Sequence, residues 1–236
     1  MEFKLTMSSS SSSDSRSYRA ARQARAALSR ASRRAVMTAA VALGATFLMN
    51  AQAMAAPAVG QPAPDFIAVD TAGKQHRLSD FAGKYVVLEW TNPGCPFVRK
   101  HYGSGNMPAT QKAAIDKGVV WLAINSTERS ASDYLQPTAL ADWMSQQSAA
   151  PTAVLMDEDG VIGRTYGART TPHIFIVDPK GTLVYAGGID SVASTRADDV
   201  KTATNYVNQA LGEAFGGKAI SAATTRPYGC SIKYKT

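Results

Sequence analysis

Apolar residues fall into two kinds of run along this chain. Val86–Trp90 (VVLEW), Val119–Asn125 (VVWLAIN), Thr152–Met156 and His173–Val177 (HIFIV) are short, unbroken and rich in β-branched residues, so they predict buried strands. Phe66, Ala68 and Val69–Lys74 predict a short strand and turn, with His76–Leu78 returning beside it. His173–Val177, the turn residues Asp178–Gly181 and Thr182–Ala186 predict a second hairpin. Spacings of three and four mark the other kind of run. Val200, Ala203, Val207, Leu211 and Phe215 place a one-faced stripe on a helix over Arg196–Phe215. Further helices are predicted over Pro96–Tyr102, from about Pro108 to Lys117, from Ser132 or Asp133 to Ser148, and briefly over Ile162–Tyr166. A single turn over Ser79–Lys84 would be capped by Ser79 and stopped at Gly83. The order is β-β, β-α-β-α, β-β-α. That order predicts an α/β class: a central mixed sheet flanked by helices, with an N-terminal β-hairpin extension.

Charge changes the picture only at the start of the chain. The net charge of +7 suggests nucleic acid, but residues 1–35 hold eight Lys and Arg against Glu2 and Asp14, and the remainder is close to neutral. No basic run follows Arg34, so no nucleic-acid partner is expected. The basic, Ser-rich segment leads into the uncharged stretch Ala35–Met49 and then into Ala51-Gln52-Ala53 and Ala53-Met54-Ala55, patterns that a signal peptidase accepts. The expected organisation is a signal peptide over 1–55, a linker over 56–64 and one domain over 65–236, exported to the periplasm or secreted. No stable membrane span is expected after cleavage. Met7 is an alternative start. Ser32-Arg33-Arg34 also fits a twin-arginine signal, although Ala35-Val36-Met37 continues it poorly.

Candidate chemistry centres on Cys95. Val86–Trp90 and Thr91-Asn92-Pro93-Gly94 deliver it to Pro96, a residue suited to the first helical position. A cysteine at a helix N-terminus meets unsatisfied N–H groups and the positive dipole end, which favour the reactive thiolate. Arg99, Lys100 and His101 follow within two turns; they either add positive potential or form a solvated face. Glu89 is either a proton acceptor or a partner for one of these cations. Trp90, Phe97 and Tyr102 are expected in the core. His76 and His173 are isolated, and neither a metal nor any other cofactor is expected.

Val59–Phe66 (VGQPAPDF), Cys95-Pro96 after a strand, Thr171-Pro172 before a hairpin and Phe175–Gly181 (FIVDPKG) together resemble the redoxin (AhpC/TSA-type) branch of the thioredoxin-like superfamily. The resemblance covers about residues 57–236 and implies a thioredoxin-like fold. Tyr166–Arg169 and the tail Gly229-Cys230-Ser231-Ile232-Lys233 look like a peroxiredoxin-like subfamily with cysteines in both places. The resemblance makes Cys95 the reactive cysteine and Thr171-Pro172 the cis-proline loop that faces it. Departures limit what carries over. Val98 stands where a C-x-x-C pair would have its second cysteine, and Asn92 stands where peroxiredoxins keep a peroxide-holding threonine, with Thr91 one residue earlier. Proline in place of the usual peroxiredoxin arginine leaves Arg169 as a replacement cation.

Cys230 is the second thiol. It would either resolve a Cys95 sulfenic acid or staple the tail, a loop closure worth about 5 kcal/mol in the chain-entropy model. Three readings follow. The leading one is hydroperoxide reduction through Cys95, with Cys230 resolving and an external thioredoxin-like thiol donor re-reducing the pair. The second is thiol-disulfide exchange with protein disulfides. The third is a non-catalytic binding module with a structural disulfide.

Overall fold

The computed structural model describes residues 56–235, so the signal peptide expected over 1–55 lies outside the described residues. Among the described residues, no helix is long and apolar enough to cross a membrane. The strands are β1 (Ile67–Asp70), β2 (Gln75–Arg77), β3 (Val86–Trp90), β4 (Val120–Asn125), β5 (Ala153–Met156), β6 (Thr170–Thr171), β7 (His173–Val177), β8 (Leu183–Gly187) and β9 (Cys230–Ser231). The helices are α1 (Pro96–Gly103), α2 (Asn106–Ile115), α3 (Pro137–Gln146), α4 (Val161–Tyr166) and α5 (Tyr206–Phe215).

Seven strands form one mixed sheet in the order β2-β1-β5-β4-β3-β7-β8. β3, β4 and β5 run parallel, as helical crossovers require, while the two hairpins add antiparallel strands at either side. The period of two along β3 separates Val86, Leu88 and Trp90 from Val87 and Glu89. The first set packs with Leu122, Ile124, Phe175 and the α4 residues Ile162 and Tyr166. Val87 packs on the opposite face with Val98, Tyr102, Met107 and Leu140 from the other helices. Both faces of β3 and β4 are therefore covered, which is why their sequences are nearly continuous apolar runs.

Several boundaries differ from the sequence expectations for local reasons. Residues 57–64 are not a free extended linker: they turn at residues 59–60, where Gln61 N–H donates to the Ala58 carbonyl at 3.1 Å, and are bonded to β8 and the turn before it, Gly60 N–H donating to the Leu183 carbonyl at 2.8 Å and Ala63 N–H to the Gly181 carbonyl at 2.8 Å. The turn before β3 is a short 3-10 segment, Leu78–Phe81, and Ser79 does not cap it. The Ser79 hydroxyl instead donates to Asp65 at 3.0 Å. Gly105, at φ 76°, separates α1 from α2 as two helices. α3 begins only at Pro137, which suits the first helical turn. The long C-terminal helix is split: a 3-10 turn covers Ala197–Lys201, and α5 begins after Asn205, whose side chain caps it by accepting from Asn208 N–H.

Candidate active site

β3 ends at Trp90, and the loop that follows is tied down before it reaches the thiol. Asn92 Oδ1 accepts from Gly94 N–H at 2.6 Å, and its amide donates to Thr127 Oγ1 at 2.8 Å and Asp133 Oδ2 at 3.1 Å. Asn92 thus organises the loop. Cys95 is the extended residue preceding α1, with Pro96 opening the helix, as the sequence implied. The Cys95 side chain is only 2% exposed. When protonated it donates to the Thr171 carbonyl at 3.0 Å, and its sulfur accepts from Cys230 N–H at 3.4 Å.

Thr171–Pro172 is a cis peptide, matching the expected loop. The unanticipated feature is what pairs with it. β9 lies antiparallel to β6, with Thr171 opposite Cys230 and Thr170 opposite Ser231, and Ile232 N–H donates to the Arg169 carbonyl at 3.0 Å. Gly229 makes this approach feasible: its φ is 139°, and a Cβ there would overlap the Thr171 carbonyl. Beyond Cys230, Lys233 Nζ pairs with Asp133 at 2.7 Å and Tyr234 donates to the Ala168 carbonyl at 2.8 Å. The tail covers the thiol and brings a second thiol to it.

The electrostatics divide the two cysteines. Burial opposes ionisation of Cys95, but hydrogen bonds from the Cys230 thiol, Val98 N–H, Thr171 and Cys230 N–H outweigh it and lower its pKa below the ordinary thiol value. Burial pushes the Cys230 thiol up to about 12, reinforced by its hydrogen bond to Cys95 and by the Cys95 charge. Of the two thiols, Cys95 is therefore the one whose surroundings favour the thiolate, and Cys230 the one whose surroundings favour the protonated form.

The expected cations take other places. Arg99 is exposed, and its Nε donates to the Pro93 carbonyl at 2.6 Å, fastening the loop in front of the thiol. Arg169 is exposed and contributes backbone contacts, its N–H lying 3.3 Å from His173 Nδ1. Hydrogen-bond donors, rather than these guanidinium groups, are the main influences lowering the Cys95 pKa. Lys100 and His101 are buried, not a solvated face, and they meet Asp190. Thr91 is 1% exposed; its hydroxyl neighbours the Glu89–Tyr102 pair without a hydrogen bond of ordinary geometry.

Glu89 is fully buried and, among the described residues, has no cation beside it, contrary to one of the two expectations. It accepts from Tyr102 at 2.6 Å, Trp121 Nε1 at 2.8 Å and Gln111 at 3.1 Å. Burial raises its pKa, and these donors offset only part of the shift. Trp90, Phe97 and Tyr102 all pack internally; Phe97 meets Tyr228 edge-on at 5.7 Å. Asp190 and Tyr228 were not anticipated. Their meeting joins positions about ninety to one hundred and thirty residues from α1, and no local sequence pattern signals it. Among the described residues, no three His, Cys, Asp or Glu side chains gather as metal ligands.

A cis-proline strand facing a cysteine at the head of a helix, carried on a sheet of this order, defines a thioredoxin-like protein. The AhpC/TSA family model matches residues 59–186, more than half of the chain, and the chain belongs to that family. Thiol-disulfide oxidoreductase ResA of Geobacillus thermodenitrificans is 29% identical over 135 residues, covering 54% of this chain and 68% of that protein. Thioredoxin-like protein YneN of Bacillus subtilis is 32% identical over 124 residues, covering 52% of this chain and 68% of that protein. Hypothetical protein SMc02350 of Sinorhizobium meliloti shares the fold with a TM-score of 0.64 at 21% identity, covering 77% of this chain and 97% of that one. The family match ends at Ala186, so Asp190, Tyr228 and Cys230 lie beyond it.

Proposed function

We propose that this protein is a thiol-disulfide oxidoreductase acting on protein disulfides, with Cys95 as nucleophile and Cys230 as its resolving partner. The observation that carries the reading is the meeting of the two thiols beside the cis-proline strand, with surroundings that favour the thiolate at Cys95 and the protonated form at Cys230. The Cys95 thiolate attacks a substrate disulfide, forming a mixed disulfide and releasing one substrate thiolate. Cys230 then gives its proton to solvent and attacks Cys95; the Cys95–Cys230 bond forms and the second substrate thiolate leaves. The substrate disulfide gains two electrons, and the pair loses them to become a disulfide. An external thioredoxin-like thiol donor restores the dithiol. Similarity to ResA supports exchange over peroxide reduction. The export-signal pattern before Ala56 supports action outside the cytoplasm.

Hydroperoxide reduction is the second reading, favoured by the burial of Cys95, which a small oxidant reaches more easily than a folded protein does. There the thiolate takes the terminal peroxide oxygen as a sulfenic acid, an alcohol leaves, and Cys230 condenses with the sulfenic acid to release water. The readings separate when reduced protein meets one equivalent of a disulfide-bonded protein or of hydrogen peroxide and loss of thiols is followed in time. Exchange expects faster loss with the protein disulfide, and a mixed disulfide through Cys95 when Cys230→Ser is used. Faster oxidation by peroxide, with no mixed disulfide trapped, overturns it.

A further inference from the structure

The tail is fastened at Tyr228 by a buried polar cluster that the exchange chemistry itself does not use. Lys100 and His101 lie on α1, the helix that Cys95 heads, and Asp190 follows β8. The side chains of Lys100 and Asp190 are 0% and 1% exposed, with Lys100 Nζ 3.4 Å from Asp190 Oδ2. Lys100 also donates to the Val192 carbonyl at 3.0 Å. The Tyr228 hydroxyl donates to Asp190 Oδ1 in a short bond and lies 3.0 Å from His101 Nε2.

The ends of the cluster fix the direction of every proton. Asn106 Nδ2 lies 2.8 Å from His101 Nδ1 and donates to it, so the neutral ring carries its hydrogen on Nε2. That hydrogen goes to the Tyr228 oxygen, and the Tyr228 hydrogen goes to Asp190. All of these groups are satisfied, yet a buried ion pair adds little net stability, because desolvating both charges cancels most of their attraction. The value of the cluster is then geometric. Only Gly229 separates Tyr228 from Cys230, so Tyr228 fixes the tail on the side preceding the thiol, as the pairing of β9 with β6 and the Lys233 and Tyr234 contacts fix it on the side that follows.

We propose that Tyr228 is a positioning residue for Cys230: its hydroxyl, held by Asp190 and His101, docks the tail on the helix that carries Cys95 and sets the rate at which Cys230 resolves a mixed disulfide there. The inference rests on the reading in which Cys95 and Cys230 act as a pair. In the resolving step the Cys230 thiolate attacks the Cys95 sulfur, the bond from Cys95 to the outer sulfur breaks, and the outer thiolate leaves with the electron pair.

The test uses reduced full-length protein and a chromogenic aromatic disulfide whose thiolate is coloured. Attack by Cys95 releases the first equivalent, and resolution by Cys230 releases the second. Tyr228→Phe should slow the second release about tenfold or more, the loss expected when a held reactant is set free, without slowing the first. An unchanged second release overturns the inference, as does equal slowing of both releases with a lowered melting temperature, which marks a merely structural role. Should Tyr228→Phe fail to fold, two double variants carry the test. Lys100→Met with Asp190→Leu removes the acceptor of Tyr228 and should slow the second release. Lys100→Met with Asp190→Asn keeps an acceptor oxygen and should restore it; equal rates in the two overturn the inference. A single equivalent released by the unsubstituted protein shows instead that the paired-thiol reading has failed, and the inference fails with it.

Discussion

Glu89 and Asp190 are both buried carboxylates that contact α1, yet their surroundings differ. Glu89 is held by neutral donors from α1, α2 and β4, elements fixed by the core. Asp190 is held by a lysine and by a tyrosine of the C-terminal tail. The first carboxylate belongs to the scaffold under the helix. The second fastens the segment that carries Cys230, and its partners come from positions far apart in the chain. A buried acid is therefore not one kind of feature: the donors around it decide whether losing it damages the fold or the alignment of the tail.

Stability measurements should separate the two most strongly. Glu89→Leu orphans three buried donors and is expected to destabilise by about 3–5 kcal/mol in denaturant unfolding. Lys100→Met with Asp190→Leu removes both charges of a buried ion pair together but leaves the Tyr228 hydroxyl and Val192 N–H without their acceptor, so it should destabilise by about 1–3 kcal/mol, less than Glu89→Leu. Equal losses at the two sites would break the comparison.

Acid sharpens it from the other side. Burial lowers the His101 pKa from 6.5 to about 4, with the Asp190 charge opposing this and the Lys100 charge adding to it. Between those values the unfolded chain binds the proton and the folded chain does not, so the contribution is complete above pH 6.5 and is lost as pH falls toward 4. The loss amounts to about 3 kcal/mol. His173, also lowered to about 4 by burial and by Arg169, titrates in the same window. Unfolding of His101→Gln followed against pH should show a smaller rise in stability between pH 4 and 6.5 than the unsubstituted protein; an unchanged slope contradicts the assignment.

Much of this was legible from sequence because it is local. The buried strands, the cysteine ahead of Pro96 and the hairpin each depend on a few adjacent residues, and the structure has them where the patterns put them; the cis-proline was implied by the family resemblance and is also found. What was not legible depends on distant partners. Lys100 and His101 look like a solvated face until Asp190, about ninety residues later, neutralises their burial. Pairing of Cys230 with Thr171 requires β6 to leave an edge open, which no spacing announces. The delayed starts of α3 and α5 follow from Pro137 and Asn205, since a terminus goes to the residue best able to open a helix even when the apolar stripe extends past it.

A smaller effect concerns the thiol itself. Cys230→Ala removes a donor to the Cys95 sulfur, so the Cys95 pKa should rise toward the ordinary value of 9.0. The rate of alkylation by iodoacetamide against pH measures it, with the midpoint moving upward; a midpoint that stays or falls would show that Cys230 does not stabilise the thiolate.

The central claim is that Cys95 and Cys230 form a reversible pair in the folded protein. Its most direct measurement is mass spectrometry of differentially alkylated peptides after equilibration in a series of dithiothreitol redox buffers. The Cys95 and Cys230 peptides should be linked on oxidation and separate again under reduction without denaturant. A linked pair that opens only when the protein is unfolded, or an oxidised protein in which Cys230 remains a free thiol, would contradict it.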